Sequence, residues 1–256
     1  MKEKITIIKV GGKIVENDEF LTQLLLDFSE IEGYKILVHG GGKSATQLSE
    51  RLGIETHMHN GRRITDKETL DVTVMVYAGL INKRIVAKLQ KIKINALGLT
   101  GADMNIIRSE KRPVKEIDYG FVGDVKEVNI QILSSLIKDN VIPILAPLTH
   151  DGEGNMLNTN ADTIAGETAK ALAKEFEVTL TYCFEKKGVM TDINDDSTVI
   201  RHLDKNNFEE LVAQGIVNEG MIPKIENALN CIKAGVKQVI ITQSIDIQGK
   251  EGTVIQ

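Results

Sequence analysis

The residues of this 256-residue chain best suited to chemistry are lysines, glycines and amides grouped at the ends of short apolar runs. Lys9 stands two residues before Gly11-Gly12, and that pair closes the run Ile5-Thr6-Ile7-Ile8-Lys9-Val10. A second run, Ile36-Leu37-Val38-His39, leads into Gly40-Gly41-Gly42. Glycines where a buried strand gives way to a helix let the backbone approach a ligand and leave amide N–H groups facing an anion. The nearby lysine adds fixed positive charge. Neither turn has the spacing of G-x-x-x-x-G-K-[ST] or G-x-G-x-x-G. Together they predict a site that grips phosphate or carboxylate.

Three further segments carry polar groups at element ends. In Asn158-Thr159-Asn160-Ala161-Asp162, Asn160 is a natural N-cap and Asp162 suits the first turn of a helix. Capping does not account for Asn158, a second amide on the same turn, placed where open α/β sheets bind ligands. Gly220-Met221-Ile222-Pro223-Lys224 opens another helix, with the proline in the first turn. Lys224 there opposes the helix dipole, which points to a ligand phosphate as its partner. Arg62 and Arg63 follow the Asn60-Gly61 turn, and a guanidinium beside a glycine-rich anion site suits bidentate carboxylate binding. The five histidines form no metal-ligand pattern, and no serine stands in a nucleophile elbow, so no metal site and no acyl-hydrolase chemistry is expected.

The elements that must position these groups alternate. Apolar runs at 4–10, 34–39, 95–100, 141–146, 178–184 and 238–243 read as buried strands. Helical periodicity fills the gaps, as in 161–176, where Ile164, Ala165, Thr168, Ala169, Leu172, Ala173 and Phe176 share a face. This predicts an α/β fold, a three-layer αβα sandwich on an open, mainly parallel central sheet. The stretch 67–92, with Val72, Met75, Val76, Gly79, Leu80 and Val86, predicts a long helix that packs in the core or on a second copy. Asn60-Gly61 and the ribbon-like 118–125 predict extra β-hairpins in the N-terminal half. A lobe boundary is expected near 145–155.

Composition narrows the function classes. Net charge is −5 and pI about 5.6, and aromatic content is 4% with no tryptophan. These values argue against a nucleic-acid surface or a stacking platform for single strands. No run is long enough to span a membrane, and no leader is expected before the first strand. Cys183 and Cys231, far apart in sequence, read as reduced thiols of a cytoplasmic protein.

Taken together, Ile8-Lys9-Val10-Gly11-Gly12, His39-Gly40-Gly41-Gly42, Asn60-Gly61-Arg62-Arg63-Ile64-Thr65, Asn158-Thr159-Asn160-Ala161-Asp162, Gly220-Met221-Ile222-Pro223-Lys224 and the closing Gly249-Lys250-Glu251-Gly252-Thr253 resemble the amino-acid kinase family, in order along nearly the whole chain. The N-G-x-R turn and the N-x-N-A-D segment resemble the branch that phosphorylates N-acylated glutamate in arginine biosynthesis. The resemblance implies ATP with Mg2+ as phosphoryl donor and the side-chain carboxylate of N-acetyl-L-glutamate as acceptor. It also implies an N-terminal lobe, 1–150, that binds the acylglutamate and forms a homodimer interface, and a C-terminal lobe, 151–256, that binds ATP. Gly41 and Gly42 would then offer amides, and Arg63 and Asn158 would hold the α-carboxylate. Lys9 and Lys224 would neutralise the phosphoryl group in flight, Asp162 would position both lysines, and Gly11, Gly12 and Lys224 would contact the nucleotide. Replacing Lys9 or Lys224 with alanine should lower turnover, and Arg63→Ala should raise the Michaelis constant of the acylglutamate.

Two departures modify that picture. Where relatives carry Thr/Ser-Asp-Val-x-Gly-Val, this chain reads Phe184-Glu185-Lys186-Lys187-Gly188-Val189, with Glu185 in place of the aspartate. The first strand begins at once, without the interlacing helix of arginine-inhibited relatives, so a homodimer without arginine feedback is expected. A larger acyl group such as succinyl would need another cationic contact, for which Arg62, Lys111 and Arg112 are candidates. The altered 184–189 segment also suits a catalytically weak nucleotide or amino-acid sensor of the same fold.

Overall fold

The computed structural model describes residues 2–192, 194–217 and 221–256, so Gly220 of the helix-opening motif lies outside the described residues. The first half runs β1 (Lys4–Val10), α1 (Gly12–Glu16), α2 (Asp18–Ser29), β2 (Tyr34–His39), α3 (Gly42–Leu52), β3 (Met58–His59), β4 (Arg62–Arg63) and α4 (Lys67–Val74). A π-helical segment (Met75–Ile81) joins α4 to α5 (Asn82–Lys91), followed by β5 (Ala96–Leu99), β6 (Ile107–Lys111), β7 (Gly123–Val128), α6 (Ile130–Lys138), β8 (Ile142–Leu145) and β9 (Leu148–His150). The second half adds β10 (Met156–Asn158), α7 (Ala161–Leu172), β11 (Glu177–Phe184), β12 (His202–Leu203), α8 (Lys205–Ala213), α9 (Ile222–Lys233), β13 (Gln238–Gln243) and β14 (Thr253–Ile255).

The central sheet has eight strands in the order β12-β14-β13-β11-β1-β2-β8-β5. All neighbours are parallel except β13 and β14. The six apolar runs read from sequence are six of these strands, because a strand covered on both faces is apolar throughout. β1 shows the logic: Ile5 and Ile7 face one core with α7 and α9, whereas Ile8 and Val10 face the other with α2, α3 and α5. The result is the three-layer αβα sandwich expected.

Because β1 pairs with β2 on one side and β11 on the other, a single sheet runs through both halves of the chain. Val10 is level with His39 and with Cys183, which brings the two glycine turns and the end of β11 to one edge. The N-terminal half also carries the Asn60-Gly61 hairpin of β3 and β4. A second sheet, β10-β9-β6-β7, roofs the same edge. Of the ribbon expected at 118–125, residues 123–125 belong to β7, and Gly120 and Val122 make single bridges to Thr65 and Asn158. No helix of the described residues is long and apolar enough to cross a membrane.

Candidate functional site

Two clefts open at the carboxyl edge of the central sheet and share Gly12. The first, about 230 Å³, is lined by Gly41, Gly42, Arg63, Tyr77, Asn158 and Asn160, with Arg62 and Arg112 also at its wall. The second, about 290 Å³, is lined by Gly11, Lys13, Phe184, Glu185, Gly188 and Lys224. Residues of five of the six motifs scattered along the sequence therefore collect at one edge, divided between two neighbouring clefts, whereas the closing motif at 249–253 lines neither.

The first cleft is built on backbone packing. Gly40 N–H donates to the Val10 carbonyl at 2.9 Å. A Cβ on Gly40 would lie 3.1 Å from Gly12 N, and one on Gly41 would lie 2.5 Å from Ile81 Cδ1 and 2.9 Å from Tyr77 Cδ1. The glycines are thus required by neighbours on both sides. No side chain caps α3 at Gly41, so its leading amides are left for an anion, while Glu16 takes the Ser44 amide at 2.7 Å. Arg63 is buried and tied to the same turn through the Gly42 carbonyl at 2.7 Å and Thr46 Oγ1 at 2.8 Å. Asn158 is fixed by donating to Thr65 Oγ1 at 3.0 Å, and Asn160 caps α7 as the sequence predicted.

Between the clefts stands Lys9, buried at the end of β1, with its Nζ 2.8 Å from Asp162 Oδ1. Lys9 is the one charged partner of Oδ1, which is closed off from solvent and takes no further hydrogen bond among the described residues. Asp162 makes no such ion pair with Lys224. The Lys224 ammonium instead lies over the Phe184 ring, 3.8 Å from its centroid, and Lys9 Nζ is 5.1 Å from the same centroid. Burial holds the Lys224 pKa below the ordinary lysine value, aided by the Lys9 charge and opposed by Asp162 and Glu185. Glu185, at the altered segment, pairs with Lys13 at 2.8 Å.

Of the candidate acyl contacts, Arg112 is committed to Asp124 through both its Nε and its terminal nitrogen, and Lys111 lies over the Phe121 ring away from the cleft wall. Arg62 makes no ion pair among the described residues. Sequence reasoning missed Tyr77, whose signal was an aromatic inside an otherwise aliphatic helical run. It noted Phe184 only as a departure from the family pattern, without seeing that an aromatic ring at a strand end among lysines could serve them. Among the described residues no group of three or more His, Cys, Asp and Glu could hold a metal ion.

An open, mainly parallel sheet whose edge carries two anion-suited clefts with lysines between them is the layout of an α/β phosphotransferase. The model of the Amino acid kinase family matches residues 4–243, and the chain belongs to that family. It is 67% identical to acetylglutamate kinase of Parabacteroides distasonis over 98% of both chains. It is 66% identical to acetylglutamate kinase of Phocaeicola vulgatus over the full length of both. Among solved structures it resembles smu.665 from Streptococcus mutans UA159, with a TM-score of 0.80 and 29% identity over 98% of each chain.

Proposed function

We propose that this protein transfers the γ-phosphoryl group of ATP to the side-chain carboxylate of N-acetyl-L-glutamate, giving N-acetyl-L-glutamyl 5-phosphate and ADP in arginine biosynthesis. The observation that carries this reading is the pair of clefts meeting at Gly12, with Lys224 lining the second and Lys9 buried beside Asp162 and Phe184. Its full-length identity to acetylglutamate kinases supports the choice of acceptor.

In this reading the first cleft holds the acylglutamate. Arg63 and Asn158 grip its α-carboxylate, and the Gly41 and Gly42 amides face the reacting carboxylate. The second cleft holds ATP against Gly11, Gly12 and Lys224. The acceptor oxygen forms a bond to the γ-phosphorus as the bond to the bridging oxygen breaks, and ADP leaves with that electron pair. No general base is needed, because a carboxylate with a reference pKa of about 4.3 is already ionised at neutral pH. The work is alignment of two anions and neutralisation of charge on the transferring group. Lys9, held by Asp162, and Lys224 supply it from either side. Mg2+ would arrive on the ATP phosphates and add charge stabilisation there.

Residues 1–150 then serve mainly the acylglutamate and the dimer contact, and 151–256 mainly ATP. A homodimer fits the exposed Met75 and Leu80 on the long helix, and the free cysteines Cys183 and Cys231 fit a cytoplasmic setting. Arg62, at the wall of the first cleft and without an ion pair among the described residues, favours one second reading, an acyl group ending in a carboxylate such as succinyl.

The test is acyl-phosphate formation with Mg-ATP, trapped as the hydroxamate, using N-acetyl-L-glutamate, N-succinyl-L-glutamate, glutamate and aspartate in parallel. N-acetyl-L-glutamate is expected to react. Preference for the succinyl compound would establish the second reading. ATP binding without product from any substrate would overturn both in favour of a sensor.

A further inference from the structure

Lys224 poses a physical problem. It stands in the first turn of α9, where the helix dipole repels a cation. A second ammonium, Lys9, is close by, and the carboxylate between them is engaged with Lys9 at 2.8 Å. Lys224 is half-buried on a long flexible stem, so water and rotamer freedom would both draw it out of the cleft. The group that meets it is the face of Phe184, 3.8 Å from Nζ to the ring centroid.

That ring is itself held. It stacks on Tyr182 with centroids 6.1 Å apart and planes 17° apart. The Tyr182 hydroxyl donates to the Asp162 carbonyl at 3.3 Å and accepts from Asn227 Nδ2 at 3.2 Å. Asp162 lies in the first turn of α7 and Asn227 belongs to α9, so the ring plane is fixed by the two helices that carry the acid and the lysine.

We propose that Phe184 is a positioning residue for phosphoryl transfer, its ring holding the Lys224 ammonium at the wall of the second cleft in readiness for the phosphates. The proposal rests on the kinase reading above. A ring quadrupole attracts a cation within about 6 Å of its centroid without carrying net charge. A carboxylate in the same place would hold the lysine as well but would cancel the charge that ATP phosphates require. The aromatic ring restrains Lys224 and leaves its charge available.

The experiment compares Phe184→Leu, which keeps apolar bulk without the ring, with Phe184→Tyr, which keeps the ring. Phe184→Leu is expected to lower kcat about 3- to 30-fold, and Phe184→Tyr to stay within about twofold of the parent. In a Lys224→Met background, Phe184→Leu should change kcat by less than about twofold, because the two residues act as one unit. Effects that multiply independently would overturn the proposal. A readout that does not depend on turnover is the NMR shift of the Lys224 ε-methylene protons, assigned by their loss in Lys224→Met. Ring currents should move them upfield in the parent and in Phe184→Tyr but not in Phe184→Leu. An ordinary shift in the parent protein would sink the proposal even if acyl phosphate forms. Absence of acyl phosphate with the upfield shift present would instead remove the kinase reading and leave the ring contact standing.

Discussion

His39 ends β2 one residue before the glycine turn, and its ring is completely buried. Its Nδ1–H donates to the Gly40 carbonyl at 2.9 Å, which leaves Nε2 to accept from Asn82 Nδ2 at 3.1 Å. Only the neutral ring can make both bonds, since a protonated Nε2 would face a donor. Burial pushes the pKa down from 6.5 to about 4, against the Gly40 carbonyl and with the help of the Lys83 charge. The unfolded chain therefore takes up a proton below pH 6.5 that the folded chain refuses until about pH 4. Stability from this site is complete above pH 6.5 and is lost as pH falls toward 4, a loss of about 3 kcal/mol. Urea unfolding at pH 7 and pH 4.5 should show this extra acid sensitivity in the parent and not in His39→Gln. Parallel losses in the two proteins would refute it. The sequence showed five histidines without a metal pattern. That His39 is the wholly buried one depends on Asn82, a partner 43 residues away that no local pattern reveals. Lys9, Arg63 and Asn158 were legible because their chemistry is written in side-chain type next to a turn. The partnering of Lys224 with a ring was not, because it needs the ends of β11 and α9 brought together.

At the scale of elements, the helix spanning 67–91 shows where periodicity carries a prediction and where it stops. Its existence was legible, and so was the burial of Val72 and Val76. The π-helical turn was not, because one wider turn leaves composition unchanged. That turn places both Tyr77 and Ile81 against Gly41 while Met75 and Leu80 face outward, and wide turns of this kind recur at functional sites. Gly41→Ala tests the packing directly. The added methyl would meet Ile81 Cδ1 at 2.5 Å and Tyr77 Cδ1 at 2.9 Å, an overpacking that costs about 1–3 kcal/mol. Displacement of the turn should raise the Michaelis constant for the acylglutamate and lower the melting temperature. Adding Ile81→Val removes the nearer atom and should restore part of both. If the double variant is worse than Gly41→Ala by the full cost of Ile81→Val, the clash is not what constrains Gly41. The strands gave the opposite outcome: runs apolar on both faces were placed correctly because continuous sheet covering leaves little other use for them.

At the scale of the whole molecule, the alternation of runs and helices implied the layers, but strand order came from the structure. The placement of β1 between β2 and β11 is what puts the two clefts side by side. The same order leaves β5 at one end of the sheet with a partner on one side only. Lys83 of α5 donates to the Gly98 carbonyl on that strand at 2.8 Å, so the long helix lies against this open edge. Met75 is 52% exposed, Leu80 58% and Leu97, on β5, 37%. Large apolar side chains on a helix beside an unpaired strand favour burial against another protein surface. A second copy is the simplest occupant, since a twofold contact uses the same face twice. Light scattering during gel filtration should give a dimer for the parent and a monomer for Met75→Glu/Leu80→Glu. Neither residue lines either cleft, so the monomer should still bind ATP, whereas the first cleft shares the helix through Tyr77 and acylglutamate binding should weaken. A parent that elutes as a monomer would refute the dimer. A dimeric double variant would place the contact on another face. Loss of ATP binding along with dimerisation would instead mean that the nucleotide cleft depends on the partner, which the continuity of the sheet through a single chain argues against.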